Sequence, residues 1–304
     1  MKRNLIFFIN PISGAGSKNS LEKKIKIHCE KYQASFEIMH TNREGDYHFL
    51  PEKIEKNGIT DVVICGGDGS VGPVVSHLLK VSVNIGIIPL GSGNGLARTA
   101  GIPNSINGAL KNIFTGKAKP TDAFLVNGKL GCQITGLGYD AYIAKLFSEE
   151  RKRGLRTYTK LAVNNFFKVR TYPFEIEWDG GNQLKTEAFI LCVSNANQFG
   201  NNLKIAPRAS LEDGALDVVI LRKSPKVRIL SAFVNHLLFA KKSNLQHSKS
   251  EKRKIYYFNT KSITIRNPEL APAHTDGEPL IPQPIYEISI LPSAYLLIQP
   301  LRRN

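Results

Sequence analysis

The sequence has no apolar run approaching about 18 residues, so no segment is long enough to span a membrane as a helix. The apolar stretch 5–9 follows Lys2 and Arg3, but it is too short for a signal peptide and ends at Asn10-Pro11. The four cysteines lack the spacing of a disulfide framework or a metal site, which indicates a reduced cytosolic protein. The seven histidines form no H-E-x-x-H motif and no cluster with cysteine, so we expect no zinc site and expect His274 to be structural or solvent-facing.

Acidic residues are scarce: 25 Asp and Glu stand against 41 Lys and Arg, a net charge of +16. A basic chain suits a nucleic acid, an anionic membrane or an anionic substrate. The excess is concentrated between residues 222 and 254, where ten Lys and Arg face Glu251 alone. No zinc finger, RNP-like signature or basic stripe with interleaved aromatics accompanies them, so we expect no nucleic acid partner.

The most informative stretch covers residues 62–72, where the apolar run Val62–Cys65 predicts a buried strand. Its glycine pattern Gly67-x-Gly69-x-x-Gly72 fits a dinucleotide fingerprint, but that site also needs an acidic residue about 20 positions later. No Asp or Glu occurs between Asp68 and Asp122, which excludes the dinucleotide interpretation. The Walker A pattern is also absent from the chain.

After this glycine loop, apolar residues at helical spacing predict a helix, with Pro73 in its first turn. A glycine loop at a helix N-terminus is suited to phosphate, because the unpaired N–H groups and the helix dipole favour an anion. The alternative is a tight strand-to-helix turn without a ligand. Asp68 inside the glycine run is costly unless something uses it, which favours a binding site.

Residues 1–120 repeat the order strand, loop, helix four times, which predicts an α/β domain with a mainly parallel sheet. The predicted strands are Lys2–Ile9, Phe36–His40, Val62–Cys65 and Val83–Pro89. Small-residue loops follow three of them, at 10–17, 66–72 and 90–98. Ligands in open α/β sheets bind beyond the carboxyl ends of the strands, so we expect the loops to share one crevice.

Residues 121–292 predict a second, largely antiparallel β-sandwich domain. Its predicted strands are Ala123–Val126, Lys129–Thr135, Phe174–Trp178, Thr186–Val193, Leu216–Leu221, Ile255–Phe258, Ser262–Ile265 and Tyr286–Ile290. Asn127-Gly128 and Asp179-Gly180-Gly181 predict turns between strands. Two helical segments interrupt the pattern, Ala141–Val169 and Val227–Ala240. The tail 293–304 contains the strand-like stretch Ala294–Ile298, and we expect it to return to the first domain.

Six motifs together resemble the diacylglycerol kinase and sphingosine kinase superfamily, which includes the bacterial lipid kinases. They are Asn10-Pro11-x-Ser13-Gly14, Gly66-Gly67-Asp68-Gly69-Ser70, Pro89-Leu90-Gly91-Ser92-Gly93-Asn94, Gly136-Leu137-Gly138-Tyr139-Asp140-Ala141, Leu211-Glu212-Asp213-Gly214-Ala215-Leu216-Asp217 and Asp276-Gly277-Glu278. The resemblance covers essentially the whole chain. NAD kinases also carry Gly-Gly-Asp-Gly, and the motifs of the second domain are what make the resemblance specific to lipid kinases.

This resemblance implies an ATP-dependent and Mg²⁺-dependent kinase that phosphorylates a lipid hydroxyl, on diacylglycerol or a sphingoid base, in a cleft between the domains. It implies Glu278 as the general base, Asp276 as a second catalytic residue beside it, and Asp140 against the lipid head group. It implies a nucleotide site formed by Asn10, Pro11, Ser13, Gly14, Thr41, Gly66, Gly67, Asp68, Gly69, Ser70, Val71, Gly72, Ser92, Gly93 and Asn94. It also implies a structural magnesium site at Asp213 with the carbonyl groups of Ser210 and Ala215.

The residue types agree with this chemistry. Phosphoryl transfer depends on positioning and on neutralising charge with backbone N–H groups, Mg²⁺ and basic residues. The glycine loops supply N–H groups, and Asp68 is placed to orient a metal. A lipid alcohol is a poor nucleophile, and a carboxylate that removes its proton contributes about 10²–10⁴-fold in rate.

The sequence also departs from the family at two positions. Gly95 follows Asn94 where family members often have Asp, and Gly72-Pro73 replaces the Asn or Glu that many have after the glycine loop. The Ser-Gly-Asn-Gly form is closer to sphingosine and ceramide kinases than to bacterial diacylglycerol kinases. The metal arrangement and the lipid acceptor therefore stay open.

The expected partner is a lipid at a membrane surface. We expect the protein itself to be cytoplasmic and peripherally associated with the membrane. A homodimer stays an open option. The basic segment and helix Val227–Ala240 would form the membrane-docking face, although core packing of that helix is an equal alternative. A soluble-substrate kinase of the NAD kinase type is the second enzymatic hypothesis. A non-catalytic nucleotide-sensing or nucleic-acid-binding protein is the third, and Glu278 argues against it.

Overall fold

The computed structural model describes residues 3–13, 18–42, 44–150, 154–200, 203–231 and 255–301. The chain divides into two compact units, one formed by Met1–Asp122 with Ser293–Asn304 and the other by Ala123–Pro292. In chain order the elements are β1 (Asn4–Ile9), α1 (Lys18–Lys31), β2 (Ser35–His40), α2 (Leu50–Asn57), β3 (Asp61–Gly66), α3 (Val71–Ser76), β4 (Asn84–Pro89), α4 (Gly95–Thr99), α5 (Ile106–Thr115), β5 (Lys117–Val126), β6 (Lys129–Gly131), β7 (Ile134–Gly138), α6 (Tyr139–Glu149), α7 (Leu155–Asn165), β8 (Tyr172–Trp178), β9 (Asn182–Ser194), β10 (Leu216–Arg222), β11 (Ile255–Thr260), β12 (Ser262–Arg266), β13 (Ala273–Thr275), β14 (Glu278–Leu280) and β15 (Ile285–Gln299).

The first unit is built on a parallel sheet with the strand order β2-β1-β3-β4. The end of β15 extends it, since Leu296 and Leu297 pair in parallel with Asn84 and Ile85 of β4. Residues 5–9 of β1 are completely buried. A parallel strand that is buried on both faces has a continuous run of apolar residues, which is why the sequence predicted these short strands.

Among the described residues, nine strand pairs of the second unit are antiparallel. Its main core gathers one face of β9 and β10, including Leu191, Val193 and Val218. The opposite face, with Ile190 and Val219, packs in a second core that also includes residues of α6. Two buried faces explain the uninterrupted apolar runs of these two strands.

The predicted fold class, a parallel α/β domain followed by an antiparallel β-sandwich, is confirmed. Three predicted elements differ in detail. Lys129–Thr135 is split into β6 and β7, Ala141–Val169 forms the two helices α6 and α7, and the two stretches within 286–298 form the single strand β15. Of the predicted helix Val227–Ala240, residues 227–231 are helical together with the preceding Lys226, and the remainder lies outside the described residues.

No helix in the described part of the chain is long and apolar enough to cross a membrane. All four cysteines are buried, and none of them forms a disulfide bond.

The first unit contains a buried carboxylate at the start of β3. Asp61 is fully buried and forms a bidentate ion pair with Arg3, whose Nε lies 2.9 Å from Oδ2. Asn84 donates to the same carboxylate at 3.0 Å. Since Arg3 also donates to the carbonyl of Ile113 on α5, this network links the beginnings of β1, β3 and β4 to a covering helix.

We expect Asp61→Ala to lower the free energy of unfolding of the first unit by about 3–5 kcal/mol, because it leaves a partly buried guanidinium without its partner. Glu37→Ala removes the surface pair with Lys53 and is the control, with an expected loss below about 1 kcal/mol. Chemical denaturation of both variants measures the difference. Equal losses would contradict a special role for the buried pair.

Candidate active site

Three loops meet at the carboxyl edge of the parallel sheet in the first unit. The N–H of Asn10, directly after β1, donates to the carbonyl of Cys65 at 2.9 Å. The N–H of Leu90, directly after β4, donates to the carbonyl of Gly66 at 2.8 Å. The loops that the sequence placed at strand ends are therefore joined through the end of β3.

Two of these loops touch backbone to backbone. A Cβ at Gly91 would lie 2.6 Å from the Cα of Gly67, and a Cβ at Gly67 would lie 3.1 Å from the Cα of Gly91. Any side chain at either position would force the loops apart. The glycines therefore bring two runs of backbone close together, and such a surface allows an anion to approach without side chains in the way.

Asp68 links the second loop to the third. Its carboxylate accepts the backbone N–H of Gly95 at 3.0 Å and of Leu96 at 3.4 Å, at the start of α4. Asn94 precedes that helix in the left-handed conformation and exchanges two side-chain hydrogen bonds with the backbone of Gly91. The carboxylate thus fixes the third loop, which is a role that the sequence analysis did not assign to it.

The other predicted nucleotide residues have differing positions around these loops. Asn10 donates through Nδ2 to Ser70 Oγ at 2.9 Å, so these two side chains join the first loop to the second. The N–H of Thr41 donates to the carbonyl of Ile9, which places the end of β2 beside the first loop. Pro11, Gly69 and Ser92 are exposed, Ser13, Gly72 and Gly93 are half-buried, and the side chain of Val71 is buried. Gly14 lies outside the described residues.

A tight hairpin in the second unit carries the acidic motif. β13 and β14 pair antiparallel, and Thr275 is opposite Glu278. Asp276 and Gly277 form the two-residue turn between them, with φ of 53° and 86°. Positive φ at both positions is typical of a type I′ turn, for which Asp-Gly is a preferred sequence. The turn leaves Glu278 exposed at the first position of β14.

Asp276 holds this hairpin to the beginning of β7. Its carboxylate accepts the backbone N–H groups of Cys132, Gln133 and Ile134, at 2.7, 2.8 and 3.0 Å. These bonds explain why the predicted strand 129–135 is broken, since the amides of residues 132 and 133 point to a carboxylate. Burial raises the pKa of Asp276, and the three N–H donors oppose that rise.

His274 is buried behind the turn and bonded on both sides. The N–H of Gly277 donates to Nδ1 at 3.2 Å, which places the ring proton of the neutral imidazole on Nε2. Nε2 then donates to Oδ2 of Asp140 at 3.2 Å. A chain of two hydrogen bonds therefore connects the turn beside Glu278 to the first turn of α6.

Asp140 combines deep burial with unused hydrogen-bonding capacity. It is 4% exposed, and its Oδ1 has no hydrogen-bond partner among the described residues. Gly136 makes the space for this group, because a Cβ there would lie 1.9 Å from Oδ2 of Asp140 and 2.8 Å from Nε2 of His274. Helix α6 packs against both strands of the hairpin. Asp140, His274 and the turn that precedes Glu278 therefore form one local assembly.

The predicted magnesium residues lie in the segment before β10. Asp213 is exposed, and its Oδ1 accepts the N–H of Ala215 at 3.2 Å. The hydroxyl oxygen of Ser210 accepts the N–H of Glu212 at 3.3 Å. Nearby, burial raises the pKa of Asp217 to about 6, and the charge of Asp213 adds to that rise. One carboxylate with neighbouring carbonyl groups is an oxygen donor set of the kind that Mg²⁺ prefers.

Sequence reasoning missed three contacts that shape these sites. They are the bond between Asn10 and Ser70, the cap that Asp68 places on α4, and the pair of His274 with Asp140. Each contact joins residues at least 27 positions apart, and no periodicity or spacing in the sequence predicts it. The arrangement has two chemical parts: a cradle of backbone groups in the first unit, and an exposed carboxylate on a braced hairpin in the second.

Two protein families match the chain, one over each part. Residues 4–126 match the diacylglycerol kinase catalytic domain. Residues 133–299 match the YegS C-terminal NAD kinase beta sandwich-like domain.

Individual relatives match over most of their length. A diacylglycerol kinase of Bacillus subtilis is 28% identical over 277 residues, which cover 84% of this chain and 88% of the relative. A probable lipid kinase YegS-like protein of Shewanella frigidimarina is 27% identical over 259 residues, covering 83% and 80%. The crystal structure of a diacylglycerol kinase from Bacillus anthracis superposes with a TM-score of 0.73 at 22% identity, covering 98% of this chain and 97% of that one, which shows a common fold.

We expect Asp276→Ala to lower the free energy of unfolding of the second unit by about 2–4 kcal/mol, because three backbone N–H groups lose their carboxylate acceptor. The control is Asp179→Ala, since Asp179 accepts the N–H groups of Lys261 and Ser262 in an exposed turn. Water replaces that acceptor, so the expected loss is about 1 kcal/mol or less. Denaturation curves that coincide for the two variants would refute the bracing role of Asp276.

Proposed function

Because this chain belongs to the diacylglycerol kinase family and is therefore a kinase, we propose that it transfers the γ-phosphoryl group of ATP to the hydroxyl group of a lipid. The proposed acceptor is diacylglycerol or a long-chain base. Both matched families lie in their expected order along the chain, and the motifs that resemble lipid kinases occur in both parts.

The observation that carries the proposal is the exposed carboxylate of Glu278 on the braced hairpin. A general base must lie within hydrogen-bond reach of the proton that it removes. Glu278 is exposed and follows a turn that Asp276 fixes through three backbone bonds. Glu278 takes the proton of the lipid hydroxyl as that oxygen attacks the γ-phosphorus. Asp276, which the sequence suggested as a catalytic partner, acts in this proposal as a positioning residue.

Asp140 is the proposed contact for the lipid head group. Its Oδ1 is buried and unpartnered among the described residues, so a hydroxyl or amine of the substrate would supply the missing donor. His274 holds the other oxygen and fixes the orientation of the carboxylate. The same histidine accepts from Gly277, so acceptor binding and base positioning share one hydrogen-bonded chain.

The loops of the first unit are the proposed nucleotide site. Their backbone groups around Gly67 and Gly91 would bind the phosphates. The hydrogen bonds of Asn10 and Asp68 hold the neighbouring loops together. A bound Mg²⁺ would neutralise charge on the transferred group. Asp68 already accepts two N–H groups and Gly95 offers no carboxylate, so phosphate and water would supply most of the magnesium ligands. In the second unit, Asp213 with the carbonyl groups of Ser210 and Ala215 would hold a structural Mg²⁺.

We expect the purified protein, given radiolabelled ATP and Mg²⁺, to label one of four lipids in separate micelles: diacylglycerol, sphingosine, ceramide or phosphatidylglycerol. Glu278→Gln should lower kcat by about 10²–10⁴-fold, because the amide cannot remove the proton. Glu177→Gln, at an exposed position of β8, is the control and should leave the rate unchanged.

NAD belongs in the same assay, because the second matched family is described as NAD kinase-like. Label on NAD alone would replace the lipid proposal by a soluble-substrate kinase. Full activity in Glu278→Gln would remove Glu278 from the mechanism while leaving the labelled acceptor identified.

We also propose that the protein makes peripheral contact with an anionic membrane, where the lipid acceptor resides. Ten Lys and Arg between residues 222 and 254 support it, since each basic residue near an anionic surface contributes about 1 kcal/mol. Most of this segment, with Lys241 and Lys242, lies outside the described residues.

Lys241→Glu with Lys242→Glu should reduce sedimentation with anionic vesicles by about tenfold or more at low salt, because two attractive charges become repulsive. Lys23→Glu with Lys26→Glu makes the same charge change on exposed positions of α1 and should have a smaller effect. Vesicle binding that is equal in the two double variants would argue against docking through this segment.

A further inference from the structure

Two histidines and an aspartate converge in the first unit, outside the loops described above. Asp46 and His48 follow β2, and His77 follows α3. Each offers one ligand atom, and these three atoms all lie within 4.8 Å of one another. The spacing of the histidines predicted no zinc site, and His77 is 29 residues from His48 along the chain, so tertiary structure alone brings these groups together.

The backbone that carries Asp46 and His48 is fixed by its own contacts. The side chain of Asn42 accepts the N–H groups of Gly45 and Asp46, at 2.7 and 3.2 Å, and donates to the carbonyl of Asp46 at 2.8 Å. Tyr47 is 2% exposed and packs edge-on against Phe8, with 5.3 Å between ring centroids. Burial of Tyr47 turns its two neighbours, Asp46 and His48, toward solvent.

This loop also rests on α3. A Cβ at Gly45 would lie 3.2 Å from Cβ of Pro73, and the ring of Tyr47 meets that of His77 edge-on at 6.0 Å. The rings of His48 and His77 are 4.7 Å apart between centroids and nearly perpendicular, at 85°. The three side chains therefore lie close together before any ion binds.

His77 makes the backbone hydrogen bond that is typical of metal-binding histidines. Its Nδ1 lies 2.8 Å from the carbonyl oxygen of Pro73, and because that oxygen can only accept, Nδ1 carries the proton. In the neutral ring Nε2 then has its lone pair available. Histidine ligands of metals almost always donate their other ring N–H to a carbonyl or carboxylate in this way.

The distances between the groups suit coordination better than direct bonding. His48 Nε2 is 3.9 Å from Oδ1 of Asp46, which is too long for a hydrogen bond. Two ligands of a tetrahedral zinc ion, each about 2.0–2.1 Å from it, are separated by about 3.3–3.4 Å. Small side-chain rotations bring the three groups to that separation, and the exposure of Asp46 and His48 leaves an entry path.

We propose that Asp46, His48 and His77 bind a divalent transition metal, with Zn²⁺ as the best-suited ion. Two imidazoles and a carboxylate form the donor set that Zn²⁺ takes with three protein ligands, and the fourth position stays open to water. Mg²⁺ prefers oxygen ligands, so this site is separate from the magnesium of the proposed kinase reaction. The bound ion would tie the loop after β2 to α3, the helix that follows the Gly66–Gly72 loop.

The test uses the full-length protein, treated with a chelator and free of nucleotide. Titration with Zn²⁺ against a chromophoric competitor should show uptake of one equivalent, unaffected by excess Mg²⁺. His48→Gln and His77→Gln should each weaken binding by at least about tenfold, which is the loss seen when even the partner of a metal ligand is removed. His28→Gln, on α1 in the same unit, is the control and should bind like the wild type.

A second readout locates the ion. Zn²⁺ should slow amide hydrogen exchange in the peptides covering residues 44–48 and 74–78 of the wild type, and not in His77→Gln. Absence of stoichiometric uptake would overturn the proposal. Uptake that is equal in the wild type and both histidine variants would also overturn it, by placing zinc on other groups. Neither result depends on kinase activity, so failure here leaves the proposed function standing.

Discussion

The hydrogen bonds from three successive backbone N–H groups to the carboxylate of Asp276 are the constraint on which the second unit's site depends. Removing N–H groups from water costs free energy unless they find an acceptor, and an ionised carboxylate is among the strongest available. By taking the amides of residues 132–134, Asp276 ends one strand, begins β7 and anchors its own turn. Glu278, two residues later, is left exposed on a hairpin that cannot shift without breaking these bonds.

The first unit uses a carboxylate in the same way. Asp68 accepts N–H groups at the start of α4, and so holds the third loop beside the second. Gly67 and Gly91 make that closeness sterically allowed, since a side chain on either would separate the loops. In both units an acidic residue within a family motif accepts backbone N–H groups and so fixes the position of a neighbouring segment. A motif residue that looks catalytic in sequence can therefore act through position alone.

The sequence predicted the fold better than the contacts within the sites. Buried parallel strands such as β1 and β3 are continuous apolar runs, and Asp276-Gly277 has the residues that a type I′ turn requires, so local chemistry was enough. The break at Cys132 was not predictable, because its cause is a carboxylate 144 residues away. For the same reason, the sequence predicted a structural or solvent-facing His274 but not its hydrogen bond to Asp140, 134 residues earlier. Interactions set by tertiary structure leave no period or spacing in the chain.

The buried pair of Asp140 and His274 leaves one carboxylate oxygen, Oδ1 of Asp140, without a hydrogen bond among the described residues. A buried carboxylate oxygen without a donor costs about 1–3 kcal/mol, and folded proteins leave few such groups unpaired. The buried pair also restricts a neighbouring position, because Gly136 must lack a side chain for Asp140 and His274 to fit. Packing alone gives no reason to keep a buried oxygen without a hydrogen-bond partner beside a position that must be glycine. A ligand that donates to Oδ1 does give one, since its binding would recover the missing hydrogen bond close to the hairpin that carries Glu278.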